Sequence, residues 1–204
     1  MRLLVLVLGA ALALSGCGTE FVSNPPRAAA PMPTYDPALD DEPDPVAITI
    51  PKLDVTSTLV PLGLNEDGGL AVPPVEEPEQ AGWYAGARPD VDGDEWKPGE
   101  NGPAVIAGHV DGLHPDGRKG KPGVFARLSE LAPGDEVLVE QATGEELRYL
   151  VAAVERVPKA KFPWDRVMAE DGRPTLQLIT CGGEFNRDTG HYEDNWVVFT
   201  VLAP

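Results

Sequence analysis

The sequence predicts an all-β domain, a barrel or a sandwich, on three observations. Its apolar runs are short and rich in β-branched residues, and clusters of Gly, Pro and Asp separate them. The 204 residues include 22 glycines and 22 prolines, a turn-rich composition that a helical bundle does not tolerate. The chain is 42% apolar, enough for one core, and shows no internal repeat. Strands are predicted over residues 47–50, 57–62, 104–107, 136–140, 147–157, 175–180 and 196–202. Residues 124–131 read as the clearest short helix, and 164–168 as another.

Ahead of this domain the composition is different. Arg2 is followed by an apolar run over residues 3–14, and twelve residues at 1.5 Å each span about 18 Å, short of a bilayer core of roughly 30 Å. The segment therefore reads as a signal peptide rather than a transmembrane helix. Its end, Leu14-Ser15-Gly16-Cys17, looks like a lipobox, in which small residues precede a cysteine that takes a diacylglyceryl group. A plain secretory signal with an incidental cysteine is the competing reading. The expected division is residues 1–16 as a lipoprotein signal peptide and 17–45 as a lipid-anchored Pro/Ala/Asp-rich linker, with 46–204 as the folded domain. The linker carries seven prolines from Pro25 to Pro45 and no apolar periodicity, so it cannot bury enough surface to offset the entropy of ordering it. The expected location is the outer face of the cytoplasmic membrane.

Acidic residues outnumber basic ones 33 to 16, giving a formal charge of −17. Such a surface repels phosphate backbones, which argues against a nucleic-acid partner, and it keeps an exported domain soluble. Asp90-Val-Asp-Gly-Asp-Glu95 has the carboxylate spacing of a calcium loop but lacks the distal bidentate glutamate, and reads as a solvated loop. Trp83, Trp96, Trp164 and Trp196 read as core or rim residues.

The cysteines carry the functional signal. With Cys17 lipidated, Cys181 has no intramolecular partner, and a lone thiol outside the cytoplasm suggests either chemistry or a buried, inert side chain. Cys181 follows the strand-like run Thr175-Leu-Gln-Leu-Ile-Thr180 and precedes Gly182-Gly183. The thiol is thus expected at a strand end, beside residues that do not block an approaching substrate and whose amides can face an oxyanion. A thiolate that splits an amide needs a proton donor for the departing amine. Of three histidines, His109 has the matching position, at the end of Ala104-Val-Ile-Ala-Gly108; His114 lies in a Gly/Pro/Asp-rich loop and His191 in a polar turn.

Four motifs in order resemble those of the sortases, cysteine transpeptidases of Gram-positive cell surfaces. They are Ile48-Thr-Ile-Pro-Lys-Leu53, Ala107-Gly-His109-Val-Asp111, Pro122-Gly-Val-Phe-Ala-Arg-Leu128, and Leu178-Ile-Thr-Cys181-Gly-Gly183 with His191-Tyr-Glu-Asp-Asn195. The last is most similar to the actinobacterial class F branch. The resemblance covers residues 46–204 and implies an eight-stranded closed β-barrel. It implies that Cys181 attacks the Thr-Gly carbonyl of an LPXTG-like sorting signal to form a thioacyl-enzyme. His109 is then the acid and base, and the acceptor is an amine of a cell-wall (peptidoglycan) precursor or a pilin lysine. No metal or organic cofactor is implied, and a monomer is expected.

One departure stands out. The family carries an arginine close ahead of the last strand, and His191-Tyr192-Glu193-Asp194-Asn195 has none. Arg187 is the nearest candidate; Gly182, His191 and Asn195 are further possible donors to substrate or oxyanion. Two other readings stay open at this level: an exported Cys/His peptidase that only hydrolyses, and a catalytically silent barrel that binds.

Overall fold

The computed structural model describes residues 42–66, 68–86, 96–113 and 119–204. The leader, Cys17, nearly all of the linker, the acidic run at 90–95 and His114 lie outside the described residues.

The predicted all-β fold is a closed barrel of eight strands. In chain order the strands among the described residues are β1 (Pro45–Ile50), β2 (Val55–Leu62), β3 (Ala81–Tyr84), β4 (Pro103–Gly108), β5 (Asp111–Leu113), β6 (Lys119–Pro122), β7 (Glu136–Gln141), β8 (Glu146–Pro158), β9 (Thr175–Asn186) and β10 (His191–Leu202). The barrel order is β1-β2-β3-β4-β9-β10-β8-β7, and β7 pairs back onto β1, while β5 and β6 form a separate two-stranded ribbon. Two pairs are parallel, β2 with β3 and β4 with β9; the rest are antiparallel. Closure leaves no unpaired strand edge in the barrel.

Strand periodicity sorts the side chains into two cores. Ile48, Ile50, Ala104, Ile106, Val137, Val139, Leu176, Leu178 and Val198 fill the barrel. Their neighbours in sequence, Val105, Ile179 and Val197, point the other way into a second cluster with Tyr84 and Val167. Val167 belongs to the one-turn helix α1 (Trp164–Val167), which thereby covers the outside of the wall where β4, β9 and β10 run side by side. This is why β4 is buried along its whole length and reads as a continuous apolar run.

Residues 124–131 differ from the expected helix. Ala126, Leu128, Glu130 and Leu131 each donate to the carbonyl three residues back, and only Leu128–Glu130 closes into a 3₁₀ turn. The apolar spacing that suggests a helix instead lets Phe125 and Leu128 plug the barrel, both fully buried. Such burial contributes about 1.5–3 kcal/mol per side chain.

At the other end, the chain enters through a clasp. Glu42 accepts from the Gln141 side chain at 2.6 Å, Asp44 pairs with Lys97 at 3.1 Å, and the Gly99 amide donates to the Tyr149 hydroxyl at 2.7 Å. The clasp therefore sits before the start of β4 and at the β7–β8 hairpin, the ends of these strands remote from Gly108 and Pro158.

Candidate active site

The β4–β9 ladder determines which residues meet. Its last registered pair is Ala107 with Ile179. Cys181 lies two residues further along β9, one pleat repeat of about 6.6 Å, on the face of Ile179, and His109 follows directly on the end of β4 at Gly108. Both line a groove of about 720 Å³. The β2–β3 connection forms one wall with Asn65, Leu70, Val72 and Val75, and Phe162 and Trp164 form another. Trp164 stacks tilted on Phe162 with ring centroids 4.5 Å apart and stays 47% exposed, on the rim; Trp83 is 4% exposed, in the core.

Cys181 is half-buried and is a free thiol. Contrary to the expected strand end, β9 does not stop at Thr180. It continues to Asn186 through a bulge, where Asp194 pairs with Gly182 but Tyr192 pairs with Phe185. Bulges of this kind bend a strand and re-aim side chains beside a site. The two glycines make it possible. A Cβ on Gly182 would overlap the Trp196 ring, and Gly183 has φ +80°, where a Cβ would overlap the Asp194 carboxylate. Gly183→Ala is expected to destabilise the fold by about 1–3 kcal/mol, the usual cost of forcing a side chain into that region. A lowered denaturation midpoint checks it; an unchanged one contradicts it.

The His109 ring is held through Nε2, 2.6 Å from the Pro73 carbonyl oxygen. A carbonyl offers only lone pairs, so Nε2 carries the hydrogen and Nδ1 is left for proton transfer. Asp111, two residues on, accepts a short hydrogen bond from the Tyr192 hydroxyl, tying the histidine segment to β10. Burial first, and then that bond and the Asp111 charge, raise the Tyr192 phenol well above its ordinary value, so it stays a donor.

Asn195 is registered directly opposite Cys181 and lines the groove, and exposed His191, the first residue of β10 rather than part of a preceding turn, lines it too. Arg187 does not. It is exposed in the turn between β9 and β10 and is not among the residues of the groove wall. The cation in contact with the thiol was missed by sequence reasoning: Lys159, from the 3₁₀ turn after β8, places Nζ 3.5 Å from the Cys181 sulfur.

Residues 48–203 match the family model described as the sortase domain. The chain belongs to the sortase family. It is accordingly a sortase-type transpeptidase, of a family that acts on surface-protein substrates with an amine acceptor. Solved structures share the fold of this sortase at low identity. A sortase D transpeptidase of Clostridium perfringens is 21% identical over 80% of each chain, with a TM-score of 0.52. A sortase C of Actinomyces oris is 22% identical over 79% of this chain and 76% of that one, with a TM-score of 0.54. A lid mutant of Corynebacterium diphtheriae sortase A is 16% identical over 82% and 74%, with a TM-score of 0.51. A search of curated proteins gives no match.

Proposed function

We propose that this sortase is a lipid-anchored enzyme of the class F type that cleaves an LPXTG-like sorting signal and joins it to an amine of a cell-wall precursor or a pilin. The observation that carries the reading is the one groove that Cys181, on β9, shares with His109, which follows the end of the adjacent parallel strand β4.

The steps follow from the groups present. The Cys181 thiolate attacks the threonyl carbonyl carbon; a C–S bond forms and the carbonyl π electrons move to oxygen. Collapse restores C=O and breaks the C–N bond, while His109 in its imidazolium form gives a proton to the departing glycine nitrogen. The incoming amine attacks the thioester, His109 takes its proton, and the thiolate leaves. One amide replaces another, so the cycle needs no oxidant or reductant. Asn195 and His191 are the side-chain donors on the groove wall available to the oxyanion, whereas Gly182 is buried beside Trp196 and is not among the residues of that wall. The apolar walls, with Leu70, Val72 and Phe162, suit the leucine and proline of such a signal.

An LPXTG-like peptide incubated with an added amine tests the reading. A new amide supports transfer; release of acid alone, with the amine present, makes the enzyme a hydrolase; an intact peptide removes the sorting-signal assignment. The anchor at Cys17 has its own test. The domain is entered through the clasp at Glu42–Pro45, remote from the groove, which supports a tether that leaves the site free. Cys17→Ser is expected to move the protein from the membrane to the soluble fraction, with peptide turnover kept within about twofold because the groove is untouched. Retention of the variant in membranes contradicts the lipid anchor. The residues this mechanism uses all come from one chain, so a monomer suffices for it.

A further inference from the structure

The residue registered opposite the nucleophile is Asn195, a neutral amide, so a cation that meets the charge developing during acylation has to come from another position. The described arginines nearby are committed. Arg156 donates to Asp194 at 2.6 Å, and Arg166 grips Glu155 through both terminal nitrogens at 2.5 and 2.6 Å while stacking 4.3 Å over Phe199. Arg187 is exposed at a hairpin turn outside the groove wall. Lys159 is different. It lines the groove, and its Nζ donates to the Cys181 sulfur at 3.5 Å. Pro158, paired with Asp194, ends β8, and the chain turns there, which aims Lys159 across the bulge that presents the thiol.

We propose that Lys159 is a catalytic residue of this sortase and meets the charge of the acylation step. The inference rests on the reading of Cys181 as the nucleophile. As the C–S bond forms, negative charge moves from sulfur to the carbonyl oxygen bonded to the same carbon. A flexible ammonium already touching the sulfur follows that charge to the distance of about 3 Å at which oxyanion donors act. A lysine suits this because it is a point charge on a mobile stem that serves one atom at a time, unlike the rigid two-pronged guanidinium. Before acylation the same ammonium lies against the attacking sulfur, so its removal changes the reactivity of that sulfur.

Lys159→Met is the test, with Lys161→Met as a control that removes the same charge from the same turn outside the groove wall. Lys159 is exposed, so the variant is expected to fold, which circular dichroism and a melting curve verify. Turnover of an LPXTG-like peptide is expected to fall about 10²-fold in Lys159→Met. It is expected to recover in part in Lys159→Arg and to stay near wild type in Lys161→Met. Peptide turnover in a folded Lys159→Met within twofold of wild type overturns the proposal. A second readout needs no peptide: the rate at which iodoacetamide alkylates Cys181 at neutral pH. It is expected to drop several-fold in Lys159→Met, and equal rates overturn the proposal. If the wild type turns over no such peptide, the sorting-signal reading fails by itself, and the alkylation rates alone decide the role of Lys159.

Discussion

Cys181→Ala is expected to reduce acyl transfer by at least about 10³-fold while leaving the barrel folded. The size of the loss follows from covalent chemistry: without sulfur no thioacyl intermediate forms, and the neighbouring donors have no nucleophile to assist. The mildness of the structural effect follows from position. The thiol is half-buried on the groove face, outside both apolar clusters, so losing one sulfur atom costs about 1 kcal/mol or less. Turnover of a sorting-signal peptide with an added amine, measured beside a thermal melt, checks both halves. Wild-type turnover in the folded variant removes Cys181 from the mechanism.

The second large effect concerns the proton. His109→Gln is expected to lower turnover of a peptide amide about 10²–10⁴-fold, the range spanned by a general acid or base. Glutamine keeps a side-chain donor toward Pro73, so the loss reports proton transfer rather than a collapsed loop. The leaving group discriminates further. An amine must be protonated as it departs, whereas the nitrophenolate of an activated ester leaves unaided. Acylation of His109→Gln by an acyl p-nitrophenyl ester, followed as nitrophenolate release, is therefore expected to approach the wild-type rate, and Cys181→Ala is not rescued. Equal impairment on amide and ester denies His109 the acid role.

The barrel was legible where strands carry β-branched residues in runs, as in Ala104-Val-Ile-Ala and Thr175-Leu-Gln-Leu-Ile-Thr. β3 was not. Its four residues, Ala-Gly-Trp-Tyr, are buried on both faces and show no alternation, and Gly82 leaves the space that the Leu62 side chain occupies. β5 and β6, Asp-Gly-Leu and Lys-Gly-Lys-Pro, have the composition of a loop and are strands through mutual pairing. Residues 124–131 mimic a helix because plugging a round barrel and lining a helix face both call for apolar residues three or four apart.

The site divides in the same way. Cys181 and His109 could be chosen because each follows an apolar run, and the parallel pairing of β4 with β9 brings the two runs to one groove. Lys159 could not. It lies 22 residues before the cysteine, in a Pro-Lys-Ala-Lys stretch that follows no motif of the site, and it meets the sulfur only because β8 closes onto β10. A search for an arginine near the last strand leads to Arg187, close in sequence but carried off by the hairpin turn.

In the proposed cycle Cys181 becomes acylated in the groove it shares with His109. Acid-quenched incubation with an LPXTG-like peptide, followed by digestion and mass spectrometry, detects that acyl-enzyme. The expected result is a peptide containing Cys181 that carries the acyl part of the substrate and loses it to hydroxylamine. A transfer product that accumulates with no such adduct, or an adduct on another residue, contradicts it.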